Sequence, residues 1–264
     1  MAAGGRPFRV SPAAALVVED WLTSLRRQSA ALLEAAGSSG LALPIPTCPG
    51  WTVRELIQHL GGVHRWATAH VAEQLPGAMP KDEKAVLMAD HPSDQELLPW
   101  FAAGAEVLIA TLSAAPPNLR CWTFLPARSP IEFWARRQAH ETEIHRADLE
   151  LARGSRVAFE KALAADGIEE LLFGLAGRIR HLEVPAEISF GLGAEDLPQS
   201  WGVRLSAEGV QAERGVEAAE CWVRGSASDI YLLLWNRLPA RALKVSGRPD
   251  ALELWQRSVQ VTWS

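Results

Sequence analysis

Tyrosine is almost missing from this chain of 264 residues, which holds one, and cysteine and methionine occur three times each. Cys48, Cys121 and Cys221 lie far apart with no CxxC pair, which excludes a cysteine-built zinc site and a dense disulfide framework. Scattered thiols fit a reducing compartment, so the cytoplasm is the expected location. Long hydrophobic runs are missing too: no 18-residue apolar stretch is expected anywhere, and no membrane partner is expected. The first residues, MAAGGRPFRVSPAAALVVEDW, hold only a short apolar run ended by Glu19 and Asp20, and a signal peptide is not expected. A basic excess is also lacking. Residues 1–180 carry 20 acids against 18 bases and residues 181–264 carry 11 against 8, so no nucleic-acid partner is expected.

What the chain does have is apolar mass and tryptophan. Hydrophobic residues make up 48% and charged residues 22%, enough to build a sizeable core and unlike a disordered segment. Eleven tryptophans serve mainly as packing anchors, each needing one donor satisfied, with some left to line a pocket.

Two patterns follow one another along the chain. Residues 12–37 read as an amphipathic helix ending at Gly37, followed by the stiff connection LALPIPTCPG. Thr52 and Glu55 form a capping box for a second helix, VRELIQHLGGVHRWATAHVAEQL. Gly61 and Gly62 inside it cost about 1 kcal/mol each against alanine, which points to a close helix contact, room for a ligand, or a kink. A third helix is expected over 94–113, with Pro99 in its first turn or marking a break. A fourth runs from Ile131 to Leu151 behind the start signal Ser129–Pro130, and ends before Gly154. A further helical run, FEKALAADGIEELLFGLAG, comes next. Beyond residue 180 the pattern alternates: WGVRLSAEGVQAE, AECWVRGS and LKVSG read as strands, SASDIYLLLWNRLP and PDALELWQRS as helices. The fold class is therefore multidomain, all-α then α+β, with a helical domain over 1–180 and an α+β domain over 181–264.

The chemistry concentrates in ARRQAHETEIHRADLE, residues 135–150. Residues four apart on a helix share a face, so Glu141 and His145 can hold one ion; His140 and His145, five apart, diverge. That excludes the HExxH zinc-protease arrangement and leaves a carboxylate and an imidazole needing a third ligand from another helix. His59, His64, His70, His91 and His181 are the candidates. His59 is best placed, in the core-like run LIQHLGG. A His₂Glu set leaves a coordination position open for catalysis and suits Zn²⁺, with Ni²⁺ or Fe²⁺ also accepted. Against this stand plainer readings: packed histidines, and a helix salt bridge between Arg137 and Glu141. Asp148 either orients His145 through its second ring nitrogen or is a surface charge. His140, Arg136 and Arg137 either recognise carboxylates of a thiol or substrate or face solvent. Cys48, between two prolines, reads as a buried structural thiol.

Three stretches, PTCPGWTVRELIQHLGGVHRWA (46–67), FWARRQAHETEIHRADLE (133–150) and RGSASDIYLLLWNRLP (224–239), resemble the signatures of the mycothiol-dependent maleylpyruvate isomerase family, in order and over most of the chain. The resemblance implies a DinB-like four-helix bundle with a divalent metal between helices, its ligands falling on His59, Glu141 and His145, followed by the family's C-terminal α+β domain. It also implies mycothiol as the sulfur donor: a thiolate favoured by the metal adds to an electrophilic small molecule, giving isomerisation if it leaves again and S-transfer if it stays. Neither ligand-bearing helical run holds a cysteine, which suits an external thiol. Metal-assisted hydrolysis with Glu143, Asp148 or another acid as base, none singled out by spacing, and non-catalytic binding of a thiol or metabolite, are the alternatives.

Overall fold

Acidic residues begin helix α1 (Val18–Ser39): the Asp20 carboxylate accepts from the Val17 N–H at 2.8 Å. The helix runs past Gly37 and stops where Gly40 takes a φ of 76°, a backbone open to glycine. The computed structural model describes residues 15–184, 186–216, 219–248 and 250–259; the expected helix start at residues 12–14 lies outside these. Helix α2 (Val53–Ala72) has the expected capping box, with Thr52 accepting from the Arg54 N–H and Glu55 from the Thr52 N–H. Its two glycines mark close contacts. A Cβ on Gly61 would lie 2.0 Å from the Trp100 ring, and one on Gly62 would lie 2.9 Å from the Met88 sulfur.

Met88 belongs to α3 (Lys81–Ala89), a short helix with no buried residue, too weakly patterned to stand out in the sequence. Helix α4 (Asp94–Ala114) contains Pro99 in its second turn, not its first, and continues unbroken. The buried Leu97 and Phe101 on either side hold the turn against the loss of one backbone bond. By length and composition α4 is also apolar enough to cross a membrane, with a mean hydropathy of 1.5. The expectation of no 18-residue apolar stretch is corrected by this helix, in which Glu106 interrupts the run to the eye. Its buried side chains pack against α1 and α2. Helix α5 (Pro130–Ala152) starts as expected, with Ser129 accepting from the Glu132 N–H and Pro130 in the first turn. Helices α1, α2, α4 and α5 form the four-helix bundle, α1 packing on α5 and α4, and α2 on α4 and α5. Leu32, Ile45, Leu56, Leu60, Phe101 and Leu149 are among the residues of its core.

The chain divides into two compact units. The helical unit is Val17–Phe159 together with Leu232–Pro239. The second holds Glu160–Tyr231 and Ala240–Val259. Strands begin after residue 180, as the sequence pattern indicates, but the grouping of contacts changes earlier, at Phe159/Glu160. Helix α6 (Lys161–Glu169) and the π-helical turn Glu170–Leu175 that extends it belong with the sheet, which they meet at β3. Strands β1 (Ile188–Ala194), β2 (Ser200–Ser206), β3 (Gly209–Arg214), β4 (Cys221–Gly225) and β5 (Lys244–Gly247) form one sheet in the order β3-β2-β1-β4-β5. Among the described residues, β1 and β4 run parallel and the other pairs are antiparallel. Strand β1, with glycines at two of its seven positions, was not evident from alternation. Helix α7 (Ala227–Leu234) buries Ile230, Leu232, Leu233 and Leu234, and α8 (Asp250–Ser258) sets Trp255 edge-on to Phe190 of β1.

Candidate metal centre

Helix α5 is polar in sequence yet buried on nearly every side. Arg137, Gln138, His140, Glu141, Glu143, His145 and Asp148 are all buried. Burying charge without partners is costly, so the partners of these groups define the site.

Glu141 is the hub. Its Oε1 lies 3.3 Å from His59 Nε2 and 3.4 Å from His145 Nε2, while its Oε2 accepts from Arg137 Nη2 at 2.9 Å. The structure thus brings together His59, Glu141 and His145, with one ligand atom of each within 4.8 Å of the others. The separations fit a shared ion: four-coordinate bonds of about 2.1 Å place ligand atoms about 3.4 Å apart. They are longer than the 2.9 Å ion pair made by Arg137 on the other oxygen. Arg137 and the metal reading are therefore not rivals, since each uses a different oxygen.

His145 is held from behind. Its Nδ1 lies 3.0 Å from Asp148 Oδ2, and Asp148 is fully buried, so the surface reading of that carboxylate does not hold. With Asp148 accepting from Nδ1–H, the Nε2 lone pair faces Glu141 and His59. Asp148 itself accepts from Thr47 Oγ1 at 2.6 Å, from Arg237 Nε at 2.8 Å and from Arg237 Nη2 at 3.1 Å. Burial alone would raise its carboxyl pKa, but the His145 hydrogen bond and the Arg237 charge hold it far below the usual carboxylate range. Burial likewise opposes charge on Glu141, and His145, His59 and Arg137 together keep it well below its ordinary value. Burial would lower His145, but Asp148, Cys48 and Glu141 draw it well above 6.5.

Cys48 stands beside this group, which the sequence reading of a structural thiol did not anticipate. Its Sγ is 3.4 Å from Asp148 Oδ2 and 3.7 Å from Arg237 Nη2. The loop between α1 and α2 carries it there: Ile45 N–H donates to the Trp51 carbonyl, and the Cys48 and Trp51 N–H groups bond within the turn. Cys48, His145 and Asp148 make the second group of possible ligands among the described residues. Arg237 lies on that side and opposes a cation there. Trp51 from the same loop stacks on the His145 ring at 5.9 Å and lies 4.9 Å from the His59 ring.

The other candidates lie elsewhere. His64 is buried against Thr142 Oγ1 at 3.0 Å, and burial lowers its pKa to about 3. His70 bonds the Trp66 carbonyl inside an aromatic cluster, and His91 meets Gln58 in an exposed contact. His181 is exposed. His140 diverges from His145 as its spacing requires, and its Nδ1 lies 3.4 Å from Glu143 Oε2. Arg136 is half-buried on α5.

The chain matches the mycothiol maleylpyruvate isomerase N-terminal domain over residues 22–150 and the MDMPI C-terminal domain over residues 162–254. It belongs to the mycothiol-dependent maleylpyruvate isomerase family. Crystal structures of the mycothiol-dependent maleylpyruvate isomerase and of its histidine-to-alanine mutant are of proteins 15% and 16% identical to this chain. Each matches with a TM-score of 0.60, covering 88% of this chain and 95% of its own. At that identity the likeness concerns the fold: the DinB-like helical bundle followed by an α+β domain. No curated protein sequence matches the chain. Family membership and the ligand cluster together support a metal-associated isomerase or transferase function. Arg237, in the stretch 224–239 that carries the third family signature, is a site residue the sequence reading passed over. Its mark was a cation closing an otherwise apolar helix, and only the fold brings it to Asp148.

Proposed function

We propose that this chain is a metal-dependent isomerase or S-transferase that uses mycothiol and acts on an electrophilic small molecule. His59, Glu141 and His145 are the proposed ligands, and Zn²⁺ the proposed ion, with Ni²⁺ or Fe²⁺ suited to the same nitrogen and oxygen donors. The observation that carries the reading is the spacing of 3.3 and 3.4 Å from one Glu141 oxygen to two imidazole nitrogens. A divalent ion bound there supplies positive charge that favours the ionised form of a thiol.

The surrounding residues have separate tasks. Arg137 holds the second Glu141 oxygen and keeps the carboxylate ionised. Asp148 fixes the His145 tautomer and is itself fixed by Arg237 and Thr47. Trp51 covers both rings and shields that side from water. A cavity of about 700 Å³ touches His59 and Glu141 and has room for a thiol and its acceptor. Three free cysteines support a reducing compartment, the cytoplasm, as part of the same proposal.

Hydrolysis finds less support. Glu143 is fully buried with Oε1 accepting from Ser24 at 2.7 Å, and Asp148 is occupied by Arg237, Thr47 and His145. Asp148 is thus fully engaged, and Glu143 is shut off from water by its burial.

The test is mass spectrometry of reactions with maleylpyruvate and other electrophiles, each with mycothiol, glutathione, bacillithiol or no thiol. Turnover only with thiol is expected. Robust turnover by thiol-free enzyme would move the reading to hydrolysis, and saturable thiol binding without any product would make the chain a binding protein.

A further inference from the structure

The cavity that touches His59 and Glu141 is also lined by Trp66 from α2 and by Trp122 and Phe124 from the α4–α5 connection. Helix α3 adds Lys81, Lys84, Ala85 and Met88 to the lining. These positions are spaced i, i+3, i+4 and i+7, so they share one face of the helix. Met88 fixes how that face is turned, because a Cβ on Gly62 of α2 would lie 2.9 Å from its sulfur. The helix inverts the usual amphipathic order: two lysines are on the face towards the cavity, while Val86 on the opposite face is 72% exposed. Lys84 is half-buried, and its Nζ lies 5.2 Å from the centre of the Trp66 ring. A ring face attracts the charge but gives the three N–H donors no carboxylate. Among the described residues no carboxylate lies within ion-pair distance of Lys81 or Lys84. Asp82 and Glu83 fall outside the shared face. Arg137, the other cation of the lining, is committed to Glu141, the one acid among the described lining residues.

We propose that Lys84, with Lys81 one turn before it, is a specificity-determining residue, and that the electrophile is an amphiphilic acid: an aromatic or similarly bulky apolar body carrying a carboxylate. The carboxylate accepts from Lys84 Nζ, and Lys81 adds charge from its more exposed position. The apolar body lies among Trp66, Trp122 and Phe124, which leaves the reacting carbon to face His59 and Glu141. The sign of the charge follows from the two lysines. The bulk follows from the aromatic walls and the volume of about 700 Å³. A diacid as small as maleate covers little of that apolar surface, so burial adds little to its binding. The recognition involves no bond making. It rests on the proposed metal-dependent reaction only in naming this acid as the electrophile.

Calorimetry on the full-length protein as purified, without thiol, tests it with three probes: 2-naphthoate, its neutral isostere 2-naphthamide, and maleate. One charge-assisted hydrogen bond at a half-buried site corresponds to a preference of about tenfold for naphthoate over naphthamide. Lys84→Met keeps the apolar stem and removes the charge. In it the preference is expected to fall to near unity while naphthamide binds as in the wild type. Lys81→Met is expected to lower the preference less, because that lysine is exposed. Maleate is expected to bind the wild type at least about tenfold more weakly than naphthoate. Equal binding of naphthoate and naphthamide by the wild type, or binding of neither, would overturn the inference. A preference that survives in Lys84→Met would place the carboxylate elsewhere, and loss of naphthamide binding in that variant would make Lys84 a support for Trp66; either would overturn it. Maleate binding as tightly as naphthoate would overturn the apolar body. Because no turnover is read, an inactive protein that still prefers naphthoate through Lys84 retracts only the proposed reaction. A protein with thiol-dependent turnover but no such preference retracts only this inference.

Discussion

Asp148 shows how much of the site depends on a residue that is not itself a ligand in the proposed set. Asp148→Asn keeps the volume but removes the charge that fixes the His145 tautomer. Loss of such support typically weakens metal affinity about 10- to 100-fold. A chelator competition titration should show that loss with a wild-type circular dichroism spectrum. Metal uptake should also depend on pH. His145 in the metal-free protein stays protonated above its usual 6.5, because Asp148, Cys48 and Glu141 outweigh its burial. A proton therefore competes with the ion, and affinity should rise about tenfold per pH unit until the raised His145 pKa is passed. His64 has the opposite sign. Its folded pKa is depressed to about 3, so its neutral form contributes stability above pH 6.5 that is lost as pH falls towards 3. The loss is about 5 kcal/mol at most, and denaturant melts from pH 7 to 4 on His64→Phe beside the wild type would show a flatter profile in the variant. The ligand face was legible because i, i+4 spacing is fixed by helix geometry. Asp148's fourfold anchoring was not, because Thr47, Cys48 and Arg237 lie 89 to 101 positions away in sequence and only the packed bundle joins them.

At the scale of elements, α5 is a helix whose sequence reads as charged and whose surroundings are those of a core. Periodicity is weak because polar groups occupy its inner faces, and the start signals Ser129 and Pro130 were what made it legible. Helix α3 had neither strong periodicity nor a buried face, so it escaped notice. The glycine pair of α2 is a different case: the sequence marked the cost, and the structure assigns it to contact with Trp100 and Met88, not to ligand space. Gly61→Ala should therefore destabilise the protein despite alanine's better helix propensity. Displacing the Trp100 ring costs about 1–3 kcal/mol, against a gain of about 1 kcal/mol from propensity. Thermal melting of Gly61→Ala would show a net drop, and a rise would contradict the close packing.

For the whole molecule, the segment Leu232–Pro239 is the informative piece. It lies far along the chain but is grouped with the helical unit, where Arg237 meets Asp148. A fragment ending at residue 180 keeps His59, Glu141 and His145 but loses Arg237. It should therefore bind metal more weakly than the full chain, and Arg237→Met in the full chain should share much of the defect. Leaving the buried Asp148 without its cation costs about 3–5 kcal/mol, so both should also melt earlier. Wild-type affinity in both would separate Asp148's role from its arginine. The central claim is the three-ligand centre itself, and metal analysis by plasma mass spectrometry of purified wild type, H59A, E141Q and H145A tests it most directly. The account predicts about one divalent ion per wild-type chain and near-complete loss in each folded variant. An unchanged metal content in all three would contradict it.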